Sequence, residues 1–268
     1  MRNNFSALLY LVLLFTSSIF AKEYKPVVYL SLVGMNMDYR EYNKAEELVD
    51  SEKSSYSDMA GVEMKLAYKF NENLKSYSEI YYNFMILGGK SRYKGSYLNS
   101  TLGYGSLVSD TSNIIADVDI SYRYTTILNG LNFMYGIGIG YHYWDRMLSS
   151  AQTEVYTWYS VRPILGLSYK PNKDLELALN VEYHYGFNTL MSSTNPDLDF
   201  TLGGVNILDI SIPVVYKYDE DMDLFFEFVL QKQNIQESGV EYDGNSGYYE
   251  PDSTSYNNYL KLGLAFKF

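Results

Sequence analysis

The sequence predicts an all-β protein: one transmembrane up-and-down antiparallel β-barrel of about ten strands. Three observations carry that prediction. Apolar and polar residues alternate with period two through most of the chain after residue 22, and helical periodicity is nearly absent. The alternating segments are long enough to cross a bilayer as tilted strands of roughly 9–11 residues, and longer than the usual strand of a sandwich. The composition is acidic and aromatic together: 268 residues carry a net charge of −11, with 47% apolar residues and 30 Tyr. A polar average with that much apolar surface fits an exterior in lipid and an interior in water.

Residues 1–21, MRNNFSALLYLVLLFTSSIFA, read as a secretory signal peptide. Arg2 supplies the positive start, Ala7 to Phe15 the apolar run, and Ser17, Ser18 and Ala21 the small residues before a cut. Cleavage after Ala21, or a residue or two away, leaves 22–268 as the barrel domain. The alternative is an uncleaved anchor, which the short apolar core disfavours.

Ten segments follow, centred on 27–39, 59–70, 75–87, 113–124, 131–144, 155–169, 175–186, 206–218, 224–235 and 257–268. In LELALNVEYHYG, Leu175, Leu177, Leu179, Val181, Tyr183 and Tyr185 share one face, with Glu176, Glu182 and His184 on the other. In 131–144 the odd positions are apolar or aromatic, while Gly136, Gly138 and Gly140 leave the inner wall bare for a large partner such as Trp158 or Tyr81, or for water. The register of the first segment, VVYLSLVGMNMDY, stays open by simple alternation. Short turns at 71–73, 125–130, 171–174 and 219–223 alternate with long loops near 40–58, 88–112, 145–154, 187–205 and 236–256. That alternation predicts turns and both termini on the periplasmic side and long loops outside.

An aromatic–basic pair recurs roughly every fifty residues, as AYKF, SYRY, SYKP, VYKY and AFKF. Tyr68, Tyr122, Tyr169, Tyr216, Phe266 and Phe268 are expected to form an aromatic girdle at the inner interface. Lys69, Arg123, Lys170, Lys217 and Lys267 then turn toward the lumen mouth. One reading pairs them with the turn acids Glu72, Asp174 and Asp219; the sharper one is a basic collar favouring anions.

A polar cluster is expected inside the wall. Asp117 and Asp119 near the outer end of the fourth strand, and Glu182 and His184 near that of the seventh, face inward. Carboxylates beside histidine suit general acid–base work. The competing reading is an ion-pair network with Arg162 and Arg123. No nucleophile is placed, so no catalytic residue is assigned and the chain reads as a non-enzyme. Ten strands about 4.8 Å apart give a backbone radius of about 10 Å, which excludes a wide porin.

Other classes are excluded by composition. The negative charge argues against nucleic acid, and zero Cys removes thiolate metal sites, disulfides and a cysteine nucleophile. Two His make a histidine metal centre improbable, and no cofactor or metal is expected. Glu241, Asp243, Asn245, Glu250 and Asp252 in the fifth loop lack EF-hand spacing and read as a solvated acidic loop.

The final residues, KLGLAFKF, resemble the C-terminal assembly signature of Gram-negative outer-membrane barrels through Lys261, Gly263, Phe266 and Phe268. That resemblance implies recognition by the outer-membrane barrel insertion machinery. Ten strands in about 250 residues also resemble the omptin architecture, a family of surface aspartate/histidine-type proteases. Omptins carry Asp-x-Asp in the second outer loop and Asp-x-His in the fourth. Here the second loop holds only Asp110, and the fourth holds Asp197 and Asp199 without His. The expectation is a monomeric outer-membrane protein in contact with lipid and lipopolysaccharide, structural or a narrow low-conductance channel. The alternatives are an omptin-like hydrolase and an adhesion or ligand-binding barrel.

Overall fold

The computed structural model describes residues 26–96 and 103–268. The predicted leader, 1–21, lies outside the described residues. Ten long strands form the wall: β1 (Pro26–Tyr42), β2 (Met59–Phe70), β3 (Ser76–Gly95), β4 (Leu107–Leu128), β5 (Leu131–Met147), β6 (Thr153–Tyr169), β7 (Leu175–Thr194), β8 (Val205–Lys217), β9 (Met222–Ile235) and β10 (Asp252–Lys267). Each pairs antiparallel with its neighbours in sequence. β10 returns to β1 through a register running from Val27↔Lys267 to Tyr42↔Asp252. The sheet therefore closes and has no free edge, which a chain in hydrocarbon requires because no water is there to satisfy an edge.

Local sequence explains the four turns at the end that carries the termini. Asn129 and Gly130 both adopt positive φ (51° and 81°), as a two-residue hairpin needs, so the predicted turn 125–130 shrinks to those two residues. At the other three turns an Asx side chain folds the chain. Asn73 Oδ1 accepts from the Lys75 and Ser76 amides, Asn172 Oδ1 from Asp174 and Leu175, and Asp219 Oδ1 from Asp221 and Met222, all within 3.0 Å.

At the opposite end the long loops are mostly strand. β3 and β4 extend through 88–95 and 107–112, and β7 extends to Thr194. Leu48–Lys53 and Asp197–Thr201 add short strands to the same sheet, while Glu241–Asp243 pairs with Ser246–Tyr248 in a separate hairpin. The loop boundaries expected from hydropathy were set too low because pairing outlasts the apolar face. Beyond Gly88 the outward residues become Lys90, Arg92 and Lys94, yet the β3–β4 ladder continues to Gly95↔Leu107.

Below those extensions the outward face is apolar around the wall, with Leu32, Leu165 and Leu262 all more than 60% exposed. Such a continuous belt is far larger than a water-soluble monomer leaves bare. Each such side chain gains about 1.5–3 kcal/mol on entering an apolar phase. In β1 the open register resolves with Val33, Met35, Met37 and Tyr39 inside and Leu30 and Leu32 outside.

Candidate functional site

The lumen is divided across its height. In the half toward the long hairpins, Met35 and Tyr39 of β1, Leu87 of β3, Trp144 of β5, Tyr156 and Trp158 of β6 and Met191 of β7 join an apolar cluster that fills the bore. A void among Met35, Met37, Trp144 and Tyr259 has about 10 Å³, no more than one water. In the half toward the termini a cavity of about 620 Å³ runs from Lys69, Glu72 and Lys170 at the rim to a charged ceiling.

That ceiling contains Asp117, Asp119, Glu182 and His184 of the expected polar cluster, together with Arg162. The structure places them near mid-height rather than at the outer strand ends, because β4 and β7 continue well past them. β4 and β7 are two strands apart, and Arg162 of β6 spans the gap. Its Nη2 donates to Asp117 Oδ1 (2.6 Å) and its Nη1 to Asp119 Oδ2 (3.3 Å), with Glu182 Oε1 at 3.9 Å. Nε donates to Ser160 Oγ (2.9 Å). The glycine wall makes this reach feasible: a Cβ at Gly140 would run into the guanidinium, and one at Gly136 would crowd Arg123. Arginines rather than Trp158 or Tyr81 lie against Gly136 and Gly140. Arg123 stays outside the carboxylate contacts, stacked 3.8 Å from the Tyr81 ring centre and donating to Ser121.

Two further members were missed in the sequence. His142 Nδ1 lies 2.8 Å from Asp117 Oδ2, and its ring stacks on Trp158 at 4.0 Å. Asp209 lies directly across the β7–β8 ladder from Glu182. His184 Nε2 stands between them, 3.0 Å from Glu182 Oε1 and 3.5 Å from Asp209 Oδ2. Alternation marks both as inward, but only the register reveals who faces whom. Among the described residues neither histidine is hydrogen-bonded to a hydroxyl, so no base–nucleophile pair of the acyl-transfer kind is assembled.

Below the ceiling, Lys261 of the predicted assembly signature belongs to a buried ring of two cations and two anions. Lys65 Nζ contacts Glu227 (2.7 Å) and Glu63 (3.2 Å), while Lys261 Nζ contacts Glu63 (2.7 Å) and Glu227 (3.4 Å). Gly263 opposes Ser31 of β1, and Phe266 and Phe268 face outward. The other girdle residues, Tyr68, Tyr122, Tyr169 and Tyr216, also face outward near the terminus end. A second aromatic ring, missed in the sequence, includes Tyr141, Tyr159, Tyr185 and Phe187 higher on the wall.

At the rim, basic residues meet strand carboxylates rather than the turn acids. Lys69 lies 4.0 Å from Glu79, Lys170 3.2 Å from Glu176 and Lys267 2.6 Å from Asp223. Lys217 is exposed at the end of β8 and does not line the cavity. Paired in this way, the rim carries little net positive field.

A second charged centre lies above the apolar belt, in the hairpin extensions. Arg146 of β5, 1% exposed, binds Glu52 (Nε, 2.6 Å), Glu41 (Nη1, 2.7 Å) and Glu154 (Nη1, 2.9 Å). Asn113 and Ser91 donate to the other Glu52 oxygen. Tyr156 donates to Glu250, which arrives from the last long loop. One guanidinium cannot balance so many acids. Burial, then the charges of Glu41 and Glu154, hold the Glu250 carboxyl well above the carboxylate range. Burial, with Glu41 next, pushes Asp50 up to about 8.

No protein-family model matches the sequence, and neither does any curated protein. Among solved structures the chain is similar to the outer membrane protease OmpT from Escherichia coli, at 13% identity and a TM-score of 0.55, covering 92% of this chain and 98% of that one. It also matches the translocator domain of the autotransporter NalP from Neisseria meningitidis (9% identity, TM-score 0.40, covering 98% and 95%). A third match is OprG from Pseudomonas aeruginosa (11%, 0.39, covering 91% and 96%). The first likeness supports the barrel fold and nothing finer. At the loop positions where omptins carry catalytic residues, Asp110 is in an exposed pair with Arg92 (2.9 Å), and Asp197 and Asp199 lie on a short exposed hairpin.

Proposed function

We propose that this chain is a Gram-negative outer-membrane barrel with a closed lumen: a non-enzymatic membrane protein that displays β-hairpin extensions at the cell surface. In this reading the leader exports it and the insertion machinery seats it as a monomer. The turns and termini face the periplasm, and lipid and lipopolysaccharide cover the belt. The supporting observation is the apolar layer of Met35, Tyr39, Trp144, Tyr156 and Trp158, buried side chains that pack into one cluster where a channel needs a continuous path. Purified protein in planar bilayers is expected to be electrically silent; stepwise conductance would overturn the closed lumen. An omptin-like hydrolase is disfavoured by the missing Asp-x-Asp and Asp-x-His pairs. Turnover of an added peptide by the purified barrel that Asp119→Asn and His184→Ala both abolish would restore it.

A further inference from the structure

The terminus-side cavity has an unbalanced ceiling. Asp117 is saturated by Arg162 and His142, and Asp119 shares Arg162 and accepts from Asn83 Nδ2 (3.0 Å). Glu182 and Asp209 share the imidazole of His184, and the nearest further cation, Arg162 Nη1, stands 3.9 Å from Glu182. They face each other across the ladder, a placement in which like charges repel. Both side chains are about one-fifth exposed and line the cavity. His184 lines it too, with its side chain 5% exposed and its Nδ1 without a hydrogen-bond partner; Asp209 Oδ1 is likewise unpartnered. An unmet buried polar atom beside two carboxylates that share one imidazole and one guanidinium at 3.9 Å is an arrangement that a cationic donor completes.

The cavity also limits what that donor is. Among the described residues no three acidic or histidine groups are spaced to hold a metal ion. At about 620 Å³ the space is that of a small-molecule pocket, not an ion's coordination sphere. Its aromatic faces already carry cations of the chain itself, Lys65 over Phe225 and Arg123 over Tyr81. Tyr259 is a further aromatic in the lining, beside the ceiling, and its hydroxyl reaches Gln231 (3.1 Å). The rim is neutralised by its own ion pairs and sets no strong barrier to a cation.

We propose that the inner end of this cavity binds a small primary ammonium ion against the carboxylates of Glu182 and Asp209, on the cavity side of His184, entering from the side of the chain termini. Three N–H donors match two carboxylates and one neighbouring polar acceptor, and the alkyl stem lies toward Tyr259. The site goes beyond the closed-barrel reading and stands whether or not the barrel conducts, so bilayer silence or conductance leaves it untouched.

The test uses the whole mature barrel in neutral detergent, with n-butylammonium as the probe. Calorimetry at physiological salt is expected to give saturable binding, and the unfolding temperature of the wild-type protein is expected to rise with probe concentration. Asp209→Asn and Glu182→Gln should each weaken binding by about tenfold or more, while Glu241→Gln on the exposed hairpin leaves it unchanged. Both ceiling variants should unfold at or above the wild-type temperature without probe, because each relieves the like-charge pair. Three results overturn the proposal: no saturable heat, equal affinity in all variants, or no wild-type stabilisation by the probe. The last needs no variant to fold.

Discussion

The two halves of the lumen solve the problem of filling a narrow barrel in opposite ways. Toward the long hairpins, aromatic and methionine side chains pack solid around a buried guanidinium held by three carboxylates. Toward the turns, the wall keeps charged residues in ladder-spanning pairs around open space. The inward positions follow one alternation rule in both halves, so the difference lies in which residues occupy them. Small inward residues such as Gly166, Ala178 and Ser211 line the cavity; Trp144, Trp158 and Tyr39 belong to the packed layer.

The largest expected effect separates buried from cavity-facing charge. Arg146→Met strands Glu41, Glu52 and Glu154 in a dry site and should cost about 3–5 kcal/mol, read as the denaturant midpoint in micelles. Arg162→Met faces a cavity that water enters, so its cost should be clearly smaller. Equal costs would mean that the two halves are equally wet. Next, Trp144→Ala removes a main part of the packed layer, at about 3–5 kcal/mol if the site does not collapse. Combined with Tyr39→Ala it should turn a silent barrel into one with measurable conductance.

A pH effect of intermediate size belongs to the hairpin end. Glu250 and Asp50 have folded-state pKa values above those of an unfolded chain, so the folded state holds protons that the unfolded state releases. Their contribution is complete below about pH 4 and declines as the pH rises, for Asp50 through the window that ends near 8. Protease cleavage of the last long loop should therefore be slower at pH 5 than at pH 9, and Glu250→Gln should remove part of that dependence. The smallest effect is at the rim, where Lys170→Gln breaks an exposed pair with Glu176 and should shift stability by no more than about 0.5 kcal/mol.

Much of the wall was legible before any coordinates. The ten spans, the inward parity of Asp117, Glu182 and His184, and the outward Tyr122, Tyr169 and Tyr216 follow from period two alone, because a strand's side chains must alternate. The turn at Asn129–Gly130 follows from two residues that tolerate positive φ. Hydropathy could not set the height of the hairpin extensions, since pairing there continues in water on both residue types.

Sequence by itself thus determined a closed sheet with an apolar exterior and a charged interior, because alternation is a local property of the backbone. Tertiary structure alone decided which inward residues meet: Glu182 with Asp209, Arg162 across Gly140 to Asp117, and Lys261 with Glu63 over β1. Those contacts depend on register and on side chains crossing the bore between strands far apart in the chain, and period-two alternation specifies neither.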